Sequence, residues 1–361
     1  GTVGGITATL GTGFVLVAAF PTSVILLGLC GLLTLTGAAA LGYELATRGG
    51  RPWQPGQRGA VAVVALLGVT GAGLAPVLPE PCDTETAYHC AVVTVDPQRP
   101  SGRTLWLNAA EHSYVDLADP GYLGFEYVRW IGALVDALAP AGAPIAAAHL
   151  GVGGATLPRY IEATRPGSTG VLFELDADLI TVATDRLGLR LGPRLRVVTG
   201  DARVGVTGLG AATMDLVIGD AFGHLAVPWH LTTAQFVAEI RRVLRPDGVY
   251  VLNLIDQPAG RFARAEAATV ASVFRYTAVV APASAVAGRS STNWLVLGSQ
   301  RPLPLAALGV GLARAASTPV PGRPAGPEPV TVLAGPAMDR FVAGVAVLTD
   351  DHAPVDQLVE R

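Results

Sequence analysis

The stretch from His149 to Asp220 decides the fold. It reads His149-Leu-Gly-Val-Gly-Gly-Ala-Thr156, then Leu172-Phe-Glu-Leu-Asp176, Thr199-Gly-Asp-Ala202 and Asp215-Leu-Val-Ile-Gly-Asp-Ala-Phe222. Each piece is an apolar run that ends in glycine or a carboxylate. Buried parallel strands have this composition, and open α/β sheets bind ligands at the carboxyl ends of their strands. The stretch therefore predicts a nucleotide pocket on a parallel sheet.

Strand and helix patterns alternate around this stretch, which predicts a mainly parallel sheet covered on both faces by helices. The expected strands span 145–150, 170–175, 195–198, 214–219 and 248–254, and 276–280 with 293–298 form a closing antiparallel pair. The expected helices span 125–138, 156–164, 177–187, 232–244 and 259–274. The α/β domain is thus expected over residues 121–300, after a small antiparallel β unit at 80–120. Residues 301–361 are expected to form a Pro-rich linker and a C-terminal tail.

The composition indicates a membrane part before these domains. Half of the 361 residues are hydrophobic and 15% are charged, against about 25% charged in typical soluble domains. Residues 1–43 carry no charge, and residues 60–78 form a second uncharged run. A run of that length spans roughly 30 Å of hydrocarbon. We therefore expect residues 1–79 to hold transmembrane helices in a multi-pass protein of the cell membrane.

Charge and cysteine content narrow the function classes. The net charge of −3 gives no indication of nucleic-acid binding. Cys30, Cys82 and Cys90 lie too far apart for a zinc site, and no metal is expected. Cys82 and Cys90 suit a disulfide in an oxidising space, whereas a nucleotide cofactor favours the cytoplasm. The side of the membrane on which the α/β domain lies is therefore left open.

The carboxyl ends of the predicted strands supply the candidate binding residues. Gly151 and Gly153 allow the backbone to approach a ligand at a helix N-terminus. Glu174 ends the next strand, where an acid accepts hydrogen bonds from ribose hydroxyls. Asp201 stands where an acid can accept the adenine amino group, and Asp220 stands beside the expected reacting centre.

These carboxylates select among nucleotides. Thr156 occupies the sixth position of the glycine loop, where a dinucleotide-binding loop carries glycine. Asp201 and Asp220 would repel phosphates. They suit a cationic sulfonium nucleotide and an amine acceptor, which favours S-adenosylmethionine or its decarboxylated form over NAD.

The segment from about Glu85 to Asp256 resembles the spermidine synthase family on the class I methyltransferase fold, and in particular its membrane-fused, actinobacterial-type members. The motifs that carry this resemblance are Glu85-Thr-Ala-Tyr-His-Cys90, Glu111-His-Ser-Tyr-Val-Asp116, Phe125-Glu-Tyr-Val-Arg-Trp130, Phe173-Glu-Leu-Asp176, Gly200-Asp-Ala202, Gly219-Asp-Ala-Phe222, Val227-Pro-Trp-His-Leu231 and Leu348-Thr-Asp-Asp-His-Ala-Pro-Val355. The resemblance also implies that residues 1–79 are the end of a larger membrane domain.

The resemblance implies a role for each matching residue. Glu174 is expected to hold the ribose and Asp201 the adenine, and the same motifs add Asp176 and Ala202 to the cofactor-binding set. Asp220 takes the place of the catalytic carboxylate that orients an amine and accepts its proton. The candidates on the acceptor side are His112, Tyr114, His230, Asp350 and Asp351.

The implied function is transfer of an aminopropyl group from decarboxylated S-adenosylmethionine to a small-molecule amine. In the family an acid in the glycine loop holds the free amine of the cofactor, and the matching position here is Gly154. Methyl transfer from S-adenosylmethionine therefore stays open, as does a non-catalytic nucleotide-binding module of a transporter-like membrane protein. The expected partners are the amine and membrane lipid, with a homodimer as an open alternative.

Overall fold

The computed structural model describes residues 2–16, 20, 22–47, 82–223, 226–317 and 328–359. The chain divides into two compact units. The first comprises residues 1–92 and 107–109, and the second comprises residues 93–106 and 110–361.

The first unit begins with two apolar helices. Helix α1 (Thr2–Gly11) continues as a π-helical turn, and helix α2 spans Thr22–Thr47. Within α2, Ser23–Tyr43 has a mean hydropathy of 2.3 and is unburied. Among the described residues, this is the one helix long and apolar enough to cross a membrane. The predicted crossing at 60–78 lies outside the described residues, and a single candidate helix does not support the multi-pass expectation.

A disulfide closes the hairpin at the end of the first unit. Strand β1 (Thr84–Glu85) pairs antiparallel with β2 (Cys90–Asp96), and Glu85 lies opposite Cys90. Cys82 and Cys90 are bonded to each other. The disulfide that the sequence left open is therefore formed, and Cys30 is an exposed free cysteine.

The second unit opens with the remainder of the small β unit. The end of β2 is followed by β3 (Arg99–Leu107) and β4 (Ala110–Asp116). The Tyr114 hydroxyl on β4 donates a hydrogen bond of 2.8 Å to Asp96 at the end of β2. These strands form a four-stranded sheet in the order β1-β2-β3-β4.

An eight-stranded mixed sheet forms the centre of the second unit. Its strands are β5 (Ala146–Leu150), β6 (Thr169–Glu174), β7 (Leu195–Thr199), β8 (Met214–Gly219), β9 (Leu244–Asp256), β10 (Tyr276–Pro282), β11 (Thr292–Ser299) and β12 (Val330–Ala334). Their order is β12-β10-β11-β9-β8-β5-β6-β7. The five strands from β9 to β7 are parallel, whereas β11, β10 and β12 continue the sheet antiparallel. The predicted α/β fold is confirmed.

Helices cover both faces of this sheet. They are α3 (Glu126–Leu138), α4 (Thr156–Thr164), α5 (Ala177–Arg186), α6 (Ala202–Thr207), α7 (Ala234–Val243), α8 (Arg261–Val273), α9 (Ala283–Val286), α10 (Leu305–Ser317), α11 (Pro336–Val342) and α12 (Val355–Val359). One core contains Phe236 of α7 and Phe262 of α8, and the other contains Ile131 of α3 and Leu308 of α10. The result is the three-layer arrangement that parallel sheets require.

The expectation of only a linker and a tail after residue 300 is incomplete. Helix α10 packs on α3, and β12 extends the sheet beside β10. A Cβ at Gly311 would lie 2.8 Å from the Cβ of Ala133, so this glycine permits the close approach of α10 to α3. Glycine lowers helix propensity, which is why the sequence pattern did not predict α10. The linker residues 318–327 lie outside the described part of the chain.

Candidate active site

The glycine loop follows β5 and contacts the end of β8. Gly151 has φ +91°, and a Cβ there would lie 2.4 Å from the Asp220 carbonyl oxygen. The Asp220 amide in turn donates to the Leu150 carbonyl at 2.9 Å. Glycine is required at position 151 both for its backbone conformation and for this contact.

Gly153 and Gly154 lie against strand β4. The Gly154 amide donates to Ser113 Oγ at 2.9 Å, and a Cβ at Gly154 would lie 2.7 Å from the Ser113 Cβ. At Gly153, with φ +49°, a Cβ would lie 2.8 Å from Ser113 Oγ. The β unit therefore occupies the space that a side chain at position 154 would need.

Glu174 connects the end of β6 to the glycine loop. One carboxylate oxygen accepts from the Val152 amide at 2.9 Å, and the other accepts from the Asp176 amide at 3.0 Å. The residue is 8% exposed. Since each carboxylate oxygen has two lone pairs, both oxygens can accept a further donor such as a ribose hydroxyl.

Asp176 and Asp201 are N-caps of the helices that follow β6 and β7. Asp176 is buried and accepts from the backbone amides of Asp178 and Leu179. Asp201 accepts through one oxygen from the amides of Arg203 and Val204. Helix capping by itself accounts for an acid at both positions. Ala202, the first residue of α6, is buried.

The second oxygen of Asp201 faces His230, whose Nε2 donates to it at 2.9 Å. Asp201 and His230 are both partly exposed, with side-chain exposures of 38% and 30%. The sequence placed His230 on the acceptor side, but here it contacts the residue expected to bind adenine. The structure thus joins two candidates that the sequence treated separately.

Asp220 lies at the end of β8 in a network of side chains. One oxygen accepts from Asn253 Nδ2 at 2.7 Å, and the other accepts from the Tyr127 hydroxyl at 3.2 Å. Asn293 Nδ2 donates to Asn253 Oδ1 at 3.0 Å and so orients that amide. Desolvation raises the pKa of Asp220 to about 6, against the opposing effect of the bonds from Asn253 and Tyr127. A carboxyl with this pKa is suited to accept a proton near neutral pH.

Tyr127, Asn253 and Asn293 were not among the candidates from the sequence. Tyr127 lies in the first turn of α3, 93 residues before Asp220. The one available signal for Asn253 was a polar residue near the end of an otherwise apolar predicted strand. Burial and contact with Asp220 raise the pKa of Tyr127 well above that of a free tyrosine, so its hydroxyl remains a donor.

A small cavity of about 30 Å³ adjoins Asp220. That volume holds about two water molecules. Burial lowers the pKa of His149 to about 3, so this imidazole is neutral in the cavity wall at physiological pH. The lining residues are Ser113, Phe125, Tyr127, Val128, His149, Gly151, Val152, Thr156, Leu157, Pro158, Ile218 and Asp220.

The other acceptor-side candidates do not line this cavity. Tyr114 is engaged with Asp96, and His112 lies near Gly153, where a Cβ would be 3.3 Å from its Nδ1. Asp350 forms an ion pair with Arg203 at 2.6 Å, and Asp351 is exposed. His224, in the loop after Asp220, lies outside the described residues. Among the described residues no cluster of three or more metal-ligating side chains is found.

The known proteins that this chain resembles in sequence are aminopropyltransferases and methyltransferases. No family model matches the chain. The polyamine aminopropyltransferase of Vibrio vulnificus is 32% identical over 127 residues, which cover 35% of this chain and 42% of the relative. That of Chromobacterium violaceum is 30% identical over 142 residues, which cover 39% and 53%. The human eEF1A lysine and N-terminal methyltransferase is 26% identical over 32% of this chain and 18% of its own length. The chain spans about half the length of the aminopropyltransferases it matches.

Structural comparison extends the match over most of the chain. A probable spermidine synthase from Corynebacterium glutamicum superposes with a TM-score of 0.68 at 26% identity. The superposition covers 76% of this chain and 97% of the relative. The similarity therefore extends well beyond the nucleotide-binding motifs.

Proposed function

Since the chain belongs to the spermidine synthase-like family, we propose that it transfers an aminopropyl group from decarboxylated S-adenosylmethionine to an amine. One observation carries the proposal. Asp220 stands at the end of β8, next to the glycine loop, with a pKa raised to about 6 and with donors on both oxygens. This carboxylate can accept a proton from an amine that is held beside it.

The strand ends offer groups that fit the nucleoside. Glu174 would accept the ribose hydroxyls, and Asp201 would accept the adenine amino group while capping α6. The glycine loop has no Cβ at Gly151 and Gly153, so its backbone can lie close to the ligand. Carboxylates on three strand ends favour a sulfonium over a phosphate, and the sulfonium supplies an electrophilic carbon with a neutral thioether as leaving group.

The reaction needs little beyond orientation and one proton acceptor. Asp220 would hold the amine nitrogen in line with the carbon next to sulfur. The Tyr127 hydroxyl would be a second hydrogen-bonding group for the amine. The nitrogen lone pair forms the new C–N bond, and the electrons of the C–S bond stay on sulfur. Asp220 takes the proton that the nitrogen loses. The products are an N-aminopropyl amine and methylthioadenosine.

Methyl transfer from S-adenosylmethionine is the second candidate, and one observation favours it. Gly154 packs on Ser113, so an acid that would hold the free amine of the decarboxylated cofactor has no space at this position. The same pocket would then direct the methyl carbon rather than the propyl carbon toward Asp220. A non-catalytic nucleotide-binding module is the third candidate.

The products distinguish these candidates. Full-length protein in detergent is incubated with an amine panel and either nucleotide, and the nucleoside products are identified by mass. We expect methylthioadenosine from the decarboxylated nucleotide, with a loss of about 10²–10⁴-fold in turnover for Asp220→Asn. Release of S-adenosylhomocysteine from S-adenosylmethionine would establish methyl transfer instead. Nucleotide binding without either product would support the third candidate, a non-catalytic nucleotide-binding module.

We propose further that α2 attaches the chain to a membrane. Its segment Ser23–Tyr43 has the length and apolarity of a spanning helix, and its large side chains are exposed. About 20 apolar residues suffice to cross the hydrocarbon region.

A further inference from the structure

The segment Leu348–His352, here called the C-terminal strap, is fastened to two helices. The Leu348 carbonyl accepts from the Ala234 amide at 2.8 Å, and the Leu348 amide donates to Thr269 Oγ1 at 2.9 Å. The amides and carbonyls of Thr349 and His352 bond to each other and close a turn. The strap therefore holds its side chains in one defined place on α7 and α8.

Asp350 projects from this turn to Arg203 of α6. Its amide donates to Gln235 Oε1 at 3.1 Å, and its two carboxylate oxygens accept from Arg203 Nη1 at 2.8 Å and Nη2 at 2.6 Å. Arg203 lowers the pKa of Asp350 below its usual value. The pair is bidentate, which fixes the orientation of the guanidinium plane.

Arg203 also contacts Asp201 and the backbone of His230. Its Nη1 also donates to the His230 carbonyl at 2.9 Å, and its backbone amide donates to Asp201 Oδ1 at 2.7 Å. His230 in turn donates from Nε2 to Asp201 Oδ2. A continuous set of hydrogen bonds thus runs from Asp350 through Arg203 and His230 to the Asp201 carboxylate.

These hydrogen bonds contribute more to the orientation of side chains than to the free energy of folding. Asp350 and Arg203 have side-chain exposures of 37% and 26%, and exposed ion pairs contribute roughly 0–1 kcal/mol to folding. The bidentate pair does, however, hold the His230 carbonyl through Arg203 Nη1, and so fixes the backbone from which the His230 ring reaches Asp201. Orientation of the carboxylate is therefore its main effect.

We propose that Asp350 is a positioning residue which, through Arg203 and His230, fixes the Asp201 carboxylate for the adenine end of the nucleotide. The inference rests on the nucleotide site of the proposed function and differs from the acceptor-side role expected from the sequence. Asp201 follows β7 and Asp220 follows β8, with β5 and β6 between them. Three strand spacings of about 4.8 Å place them roughly 14 Å apart. Loss of Asp350 should therefore act on nucleotide binding and spare the bond-making step.

The test is Asp350→Asn in the full chain, with Asp356→Asn as the matched control. Asp356 is an exposed acid in the same C-terminal segment. Binding of methylthioadenosine is measured by calorimetry, and KM for nucleotide, KM for amine and kcat are measured separately. We expect about a tenfold weaker nucleotide Kd and KM for Asp350→Asn, with kcat and the amine KM within twofold of the unmutated chain. Asp356→Asn should match the unmutated chain throughout.

Three further variants distinguish a positioning role from a loss of folding. Asp350→Glu keeps a bidentate acceptor and should recover most of the nucleotide affinity. His230→Gln keeps a donor toward Asp201 and should bind methylthioadenosine more tightly than His230→Leu. The thermal midpoint of each variant is measured, and Kd values are compared among variants whose midpoints match that of the unmutated chain. An unchanged methylthioadenosine Kd in Asp350→Asn, or a change confined to the amine KM, would overturn the inference. An unmutated chain that binds no nucleoside would do the same.

This test is independent of the reaction type. If the chain binds methylthioadenosine but transfers no aminopropyl group, the proposed function fails. The Kd comparison between Asp350→Asn and Asp356→Asn still decides whether Asp350 acts on the nucleotide.

Discussion

At the scale of single residues, the environment of Asp220 determines what its carboxylate can do. A solvated aspartate has a pKa near 3.9 and is a poor base at neutral pH. Desolvation at the end of β8 raises the pKa of Asp220 to about 6, while Asn253 and Tyr127 hold the ionised form in place. Neighbours from α3 and β9 thus create the environment in which Asp220 could serve as the base of the proposed reaction.

The pH dependence of the reaction follows from this pKa. Asp220 must be ionised to accept a proton, so kcat/KM should rise with pH through a midpoint near 6. Asn253→Ala removes a hydrogen bond that lowers the pKa, so the midpoint should move to higher pH. The titration of the amine substrate is common to both proteins and cancels in the comparison. A midpoint that stays in place would show that Asp220 is not the titrating group.

At the scale of elements, the strand ends and the loops after them assemble the pocket. The glycine loop contacts β8 through Gly151 and β4 through Gly154, and Glu174 fastens it to β6. The parallel arrangement of these strands was predictable from the alternating pattern, whereas their order in the sheet was not. The contact of β4 with the glycine loop was not, because it joins residues 41 positions apart.

We predict that helix α2 keeps the chain attached to a membrane. The full chain should stay in the membrane fraction after a high-salt wash, since α2 is held by the hydrophobic effect rather than by charge. Leu29→Arg with Leu33→Arg places two cations near the centre of the helix, at about 2.5–3.5 kcal/mol each on insertion scales. The double variant should move into the wash, whereas Leu29→Ile with Leu33→Ile should not. Release of the unmutated chain by salt alone would contradict attachment through α2.

At the scale of the whole molecule, the second unit contains an acid in its core. Glu266 of α8 is fully buried, and burial raises its pKa well above that of a free glutamate, with Thr232 offsetting part of the effect. The folded state therefore keeps this carboxyl protonated at pH values where the unfolded chain has released the proton. The direction of the shift means that Glu266 costs stability as pH rises above about 4.3, its unfolded value.

Glu266→Gln should remove that cost. Below pH about 4 the variant and the unmutated chain should be similarly stable, because both side chains are neutral. Above it the variant should gain up to about 1.4 kcal/mol per pH unit in free energy of unfolding until the folded pKa is reached. Urea unfolding at several pH values measures this, with the exposed Glu162→Gln as control. A pH-independent difference between the two proteins would refute a protonated Glu266.

Local pattern was enough for strands β5 to β11 and for helices α3, α4, α5, α7 and α8, but it missed the short helices α6 and α9. Apolar runs that end in glycine or acid predicted β5 to β9, and the closing pair β10 and β11 was predicted as antiparallel. Helix α10 escaped prediction because Gly309 and Gly311 weaken its local signal, and it is stabilised by packing on α3. Strand β12 escaped because five residues acquire a strand conformation only through pairing with β10.

Sequence by itself determined the fold class, the glycine loop and the positions of Glu174, Asp201 and Asp220, because each depends on spacing along one strand and its following turn. Only the tertiary structure decided which side chains meet. It joined Tyr127 and Asn253 to Asp220, and it placed Asp350 on Arg203 beside Asp201, where the sequence had assigned Asp350 to the acceptor. The physical reason is that these contacts connect segments more than 30 residues apart, and such contacts depend on how the layers pack. The stretch from His149 to Asp220 thus predicted the pocket, while distant segments determine how its acids are oriented.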